Sequence, residues 1–226
     1  MAKDARVAEA LAWLEKQGSD KVREEAQVRY GITAKKSYGV KMGDVQALAK
    51  ALGRDHELAA QLWETGWYEA RLACAYVDDP AKVTVAQMNR WAKDFDNWGI
   101  CDTVCFTLFD NVPGAWSRIE PWSKAKGEYE KRTAFALMAC MSLHGQATEA
   151  QLMKGLALCE KAATDERNFV RKSVSWALRA IGQRNKALHA ATSKVAERLA
   201  ASEDKTARSI GKEALRDLKK AKARIK

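Results

Sequence analysis

The chain has 226 residues and a formal charge of +10 at pH 7, and only three prolines interrupt it. That length supports one sizeable core or a run of stacked units, and the charge suits a polyanionic partner. The few helix breakers and the abundance of Ala, Leu, Lys, Arg and Glu argue for an all-α fold and against a strand-rich one.

Taken in chain order, helical periodicity predicts segments near 4–17, 20–29, 42–52, 55–64, 67–77, 84–93, 97–110, 113–125, 128–143, 148–162, 165–182, 186–200 and 203–222. The first opens on Met1-Ala2-Lys3-Asp4-Ala5-Arg6, an amphipathic start with an acid in it, unlike a signal peptide. The longest apolar run, residues 134–141 in the ninth segment, is far too short to cross a membrane. A cytoplasmic, nucleoid-associated protein is therefore expected, with no membrane partner. Thr84-x-x-Gln87 and Thr148-x-x-Gln151 predict capping boxes at two helix starts. Connections are short and no Gly/Ser-rich linker divides them, so a single domain over 1–226 is expected. Five cysteines, without C-x-x-C spacing, read as small core residues of a reducing compartment rather than disulfides or zinc ligands.

The seventh segment carries the chemistry. Read at helical spacing from Phe95 to Phe109, the residues Phe95, Trp98, Asp102, Cys105, Phe106 and Phe109 fall on one face. A carboxylate in an aromatic stripe needs a partner: either an arginine in a helical core, or a cationic ligand in an open cleft where Trp98 offers a π-face one turn from Asp102. Charge sharpens the contrast. Residues 78–110 hold six acids against three basic residues, whereas residues 201–226 hold nine Lys or Arg against four acids.

A weak repeat also runs through the chain. Tyr68-Glu69-Ala70-Arg71, Tyr129-Glu130-Lys131-Arg132 and Phe169-Val170-Arg171-Lys172 each open a helix with an aromatic residue, with a long polar one three later. Asp102 falls in phase, so Arg71, Asp102, Arg132 and Lys172 share one position at intervals of 31, 30 and 40 residues. Such spacing in paired helices predicts a HEAT-like solenoid whose equivalent helices line one concave surface.

Trp98-Gly99-Ile100-Cys101-Asp102, Tyr129 to Ala134 and Phe169 to Arg179 resemble, in order and phase, the AlkD-like DNA alkylation repair glycosylases, from about Tyr38 to the final helix. The resemblance implies a HEAT-like helical-repeat solenoid with a basic concave groove, gripping duplex DNA and excising alkylated purines. It implies that Asp102 is the catalytic aspartate, that Trp98 and Trp176 are the groove tryptophans, and that Arg132 is the groove arginine. Two positions depart from the family: Gly99 stands where an acid is usual, and Gly43 where a proline is.

A cationic purine leaves neutral without a general acid, so a fixed carboxylate and aromatic faces suffice to answer the charge growing on the sugar and to orient water. The expected activity is thus that of a monofunctional glycosylase for N3- or N7-alkylated purines, acting as a monomer on duplex DNA. Arg171, Lys172, Arg179, Lys205, Arg208 and Lys212 are expected to hold phosphates. No G-x-S-x-G, H-E-x-x-H or phosphate-loop motif is present, the three histidines are scattered, and no cofactor or metal is expected. The remaining tryptophans, Trp13, Trp63, Trp67, Trp91, Trp116 and Trp122, read as core anchors. The alternative is a non-catalytic HEAT-like module that binds nucleic acid or protein.

Overall fold

Several helix starts are fixed by a short polar side chain that accepts the backbone N–H three residues on, because the first turn of a helix leaves its donors unpaired. Ser19, Asp55, Thr84, Asn97, Thr148 and Asn185 act in this way. Thr148 and Gln151 close the full capping box. At Thr84 only half of the predicted box forms: its hydroxyl accepts from Gln87 N at 3.2 Å, while the Gln87 amide donates to Asp78 at 2.7 Å. Asp78 is 1% exposed, and a buried carboxyl without water needs such donors.

The structure, a computed structural model, describes residues 5–221; among them are thirteen α-helices and no strand. The predicted start at Asp4 and end at residue 222 lie outside the described residues. The chain divides into two compact units between Pro113 and Gly114. The first holds α1 (Ala5–Gln17), α2 (Asp20–Tyr30), α3 (Met42–Leu52), α4 (His56–Glu64), α5 (Tyr68–Val77), α6 (Val85–Asp94) and α7 (Trp98–Thr107). The second holds α8 (Ile119–Ser123), α9 (Glu128–Leu143), α10 (Glu149–Ala162), α11 (Asn168–Gly182), α12 (Lys186–Ala200) and α13 (Lys205–Ala221).

In the first unit α3, α5 and α7 pack in succession, with α1 and α4 against α5. In the second unit α9, α11 and α13 form the equivalent row, backed by α8, α10 and α12. Stacked helix pairs of this kind make the all-α, HEAT-like helical repeat. The predicted shared positions fall early in the row helices, with Arg71 in α5, Asp102 in α7, Arg132 in α9 and Lys172 in α11.

Three predicted segments are shorter than expected. The 97–110 helix stops at Thr107, where Leu108 leaves helical geometry at φ −121° and Phe109–Asn111 form a 3₁₀ turn. Between Pro113 and residue 125 the chain makes a 3₁₀ turn, Ala115–Arg118, and then the short α8. The 165–182 helix begins only at Asn168, because the Asp165 carboxylate accepts from the backbone N–H and guanidinium of Arg167 and from Lys131. Those bonds hold residues 165–167 in a turn, and they keep the Asp165 carboxyl well below the usual range, Arg167 contributing most.

Each unit buries its own aromatic or aliphatic centre. In the first, Trp63 and Trp91 stack at 3.9 Å and are fully buried, with Phe95 edge-on to Trp63. In the second, residues 132–142 of α9 are all buried, which explains the apolar run: neighbouring helices cover it on several sides. No described helix is long and apolar enough to cross a membrane. Of the six tryptophans expected in cores, Trp63, Trp91 and Trp122 are buried; Trp13, Trp67 and Trp116 are half-exposed, Trp67 stacking on Tyr38 at 3.7 Å. All five cysteines are buried.

Residues 37–40 are pinned by one carboxylate. Glu69, fully buried at the start of α5, accepts from Ser37 Oγ at 2.7 Å and from the backbone N–H groups of Tyr38, Gly39 and Val40 at 3.1, 2.8 and 3.3 Å. Gly39 fits because its φ is +77° and a Cβ there would lie 2.2 Å from the Ser19 carbonyl. Replacing Glu69 by Ala removes the acceptor of these four bonds and is expected to cost about 3 kcal/mol, with Glu69→Gln milder because its amide oxygen still accepts. Urea unfolding of the two variants checks the order.

Candidate functional site

Asn97 decides which residues α7 shows to solvent. Its side chain accepts from Ile100 N at 3.0 Å, so the helix begins at Trp98 and Phe95 lies ahead of it. Ile100, Cys101, Val104 and Cys105 then face the core, and Trp98, Asp102 and Phe106, four residues apart, form the outward line. The predicted single stripe is thereby corrected: Phe95, Cys105 and Phe109 belong to the core, whereas Trp98 and Asp102 are half-exposed and Phe106 is 47% exposed. Trp98 and Asp102 remain one turn apart, as the sequence predicts.

Trp98 is fixed from outside its own helix. Its indole N–H donates to the Tyr30 carbonyl at 2.8 Å, tying α7 to the last residue of α2. α2 buries none of its residues, and it is closed by Gly31 in left-handed conformation. A cavity of about 460 Å³ opens between α2 and the segment that follows it, lined by Arg23, Gln27, Ile32, Thr33, Ser37 and Tyr68 among others. Sequence reasoning treats Tyr68 only as the aromatic that opens a repeat. The tie from Trp98 to a main-chain carbonyl 68 residues away leaves no sequence signal at all.

The other expected site residues lie in the second unit. Arg132 is 5% exposed, and its guanidinium donates to the Phe169 carbonyl at 2.6 Å, joining α9 to the first turn of α11. Lys172 and Arg132 both approach the Phe169 ring, at 5.8 and 6.0 Å from its centre. Lys172, Trp176 and Arg179 follow at spacings of four and three, so one face of α11 carries two cations and a half-exposed indole between them.

Arg179 pairs with Asp217 of α13 at 3.1 Å, and Ser175 donates to Glu213 at 2.6 Å. Lys172, Lys205 and Lys212 are exposed. Arg171 and Arg208 are half-exposed, and Arg208 donates to the Ser202 carbonyl at 2.8 Å. The histidines are separate: His56 meets the Asp78 carboxyl at 2.6 Å, and His189 meets the Gly182 carbonyl at 2.9 Å. The Asp78 carboxyl is raised above the usual range, chiefly by burial.

These features define a helical-repeat protein with a partly exposed aspartate beside a tryptophan and a lysine-rich helical face. A family model described as DNA alkylation repair enzyme matches residues 11–218. The chain belongs to that family. Among solved structures, one described as a new family of proteins related to the HEAT-like repeat DNA glycosylases, with affinity for branched DNA structures, matches with a TM-score of 0.75 at 17% identity. That match covers 93% of this chain and 94% of the other. A designed armadillo repeat protein matches with a TM-score of 0.42 at 14% identity, over 95% and 92% of the two chains. No curated protein matches.

Burial separates the roles of Arg132 and Trp176. Arg132→Ala removes a buried cation from a main-chain carbonyl and is expected to cost about 2–3 kcal/mol of stability. Trp176→Ala, at a half-exposed position, should fall below the roughly 3–5 kcal/mol usual for a buried tryptophan. Thermal or urea unfolding of both variants measures the difference.

Proposed function

We propose that the chain is a DNA glycosylase that excises cationic N3- or N7-alkylated purines from duplex DNA. The observation that carries this reading is Asp102, half-exposed on the outward line of α7 with Trp98 one turn before it, in a member of the DNA alkylation repair family. A carboxylate so placed can face positive charge developing at C1′ of a nucleotide and accept a proton from water, while the Trp98 face offers its π-electrons to the same charge. The alkylated base already carries the positive charge that makes it a leaving group, so no acid need protonate it. Trp176 presents a second aromatic face to DNA. Arg132 acts by holding the start of α11, from which Lys172 and Arg171 project.

The basic face of the second unit supplies the grip in this reading. A repair protein must bind every sequence, and the phosphate backbone is the part of DNA that does not vary. Lys172, Lys205 and Lys212 are the better phosphate ligands because they are exposed, whereas Arg179 already pairs with Asp217 and Arg208 is held to the Ser202 carbonyl.

A second reading is a DNA-structure-binding protein without excision. It is favoured by Gly99, which replaces the family's usual acid beside Asp102, and by the likeness to a protein described by its affinity for branched DNA. The two separate in one assay with duplex DNA containing N7-methylguanine. Asp102→Asn is expected to slow base release by on the order of a hundredfold or more with DNA affinity unchanged, since it removes a charge and keeps the shape. No release by the wild-type protein, together with tight binding to a four-way junction, makes the second reading the correct one.

The grip is checked by salt. Lys172→Ala, Lys205→Ala and Lys212→Ala should each reduce the slope of log affinity against log salt by about one unit for undamaged duplex, equally across sequences. A wild-type affinity indifferent to salt means that the lysines are only solvated.

A further inference from the structure

The hydroxyl of Tyr68 has no hydrogen-bond partner among the described residues. It sits at the first residue of α5 and lines the cavity beside α2. Burial, reinforced by Glu69 and Asp96, pushes the phenol well above its ordinary range, so the oxygen keeps its proton and remains a donor at any working pH. The residue is half-buried and faces the cavity, so a water there can meet its O–H.

Gly99 shows where that hydroxyl points. A Cβ built on Gly99 would stand 2.7 Å from Tyr68 Oη, with Asn97 Oδ1 at 3.1 Å and Ile32 Cδ1 at 3.2 Å. The hydroxyl therefore occupies the start of the space that a side chain at position 99 would fill. Positions three apart on a helix have Cβ atoms about 5–6 Å apart, which bounds the distance from Oη to the Asp102 Cβ at about 8–9 Å; a carboxylate turned toward the hydroxyl brings the two oxygens within reach of one shared water. In place of a second acid beside Asp102, this chain offers a neutral donor.

We propose that Tyr68 is a positioning residue for the reaction at Asp102, donating to the oxygen of the water that the carboxylate holds. This rests on the glycosylase reading. Held by a hydrogen bond to Asp102 through one proton and by Tyr68 at one lone pair, the water keeps its other lone pair for C1′. The C1′–N bond then breaks with its electron pair passing to the cationic purine, which leaves neutral. The water oxygen bonds to C1′, and its proton passes to Asp102 and on to solvent. Gly99 is part of the same device, since only a residue without a Cβ leaves the hydroxyl in place.

The test compares wild type, Tyr68→Phe and Gly99→Ala in single-turnover release of N7-methylguanine from duplex DNA, alongside duplex affinity, melting temperature and partition between water and added methanol. Tyr68→Phe breaks no protein hydrogen bond and should melt as wild type does. Its release should slow on the order of tenfold to a hundredfold at unchanged affinity, because a misplaced nucleophile costs that much. The share of sites captured by methanol at C1′ should rise, and Gly99→Ala should show the same pattern. Wild-type rate and partition in Tyr68→Phe overturn the inference and leave the glycosylase reading standing, and so does a loss explained wholly by weaker binding. No release by the wild-type protein overturns both.

Discussion

The hydrogen bond from Ile100 N to the Asn97 side chain is the constraint on which the α7 surface depends. Asn97 is fully buried, and its amide also donates to Asp96 at 2.7 Å, so the cap is braced on both sides. A helix started one residue earlier or later would turn every side chain by about 100° and bring Cys101 or Thr103 to the place of Asp102. Capping, a local device worth about 1 kcal/mol, thus settles the phase of the residues on which the proposed chemistry relies. The tie from Trp98 to the Tyr30 carbonyl then fixes the indole with no side-chain partner.

The second unit uses its charges in two ways. One set is consumed internally: Asp165 holds Arg167 and Lys131, Asp217 holds Arg179, and Glu160 holds Arg198 at 2.7 and 2.8 Å. These pairs join neighbouring helices or fix helix starts, and such partly exposed pairs add little stability each. Lys172, Lys205 and Lys212 form the other set, exposed on the row helices α11 and α13. A net charge of +10 says nothing about this division, because a guanidinium tied to a carboxylate and a free ammonium count alike.

The same limit governs how far the sequence could be read. Helix positions were legible because apolar spacing and capping residues are local, and all but the 113–125 segment were placed within a few residues at the ends the structure describes. Two of the misreadings share a cause: a polar group called elsewhere by the fold. Gln87 abandons its cap for buried Asp78, and Asp165 gathers Lys131 and Arg167 and so delays α11. Family membership followed from motifs in order, and the place of Arg132 as a groove arginine was implied by the same resemblance. The structure adds that Arg132 is 5% exposed and donates to the Phe169 carbonyl, a partner no spacing rule reveals.

Gly99 is the position where local and tertiary readings meet most sharply. By sequence it is a loss, a missing acid beside the catalytic candidate and a weak helix former in a first turn. In the fold it is the one residue type that admits the Tyr68 hydroxyl, since the space begins 2.7 Å from where any Cβ would stand. A second carboxylate there would repel Asp102 across one helical turn and favour a proton on one of the pair. A neutral hydroxyl brings no such repulsion, and its proton is an added donor near an anion. On the proposed reading, the exchange of an acid for glycine is then a change in how the Asp102 carboxylate is served rather than the loss of a partner.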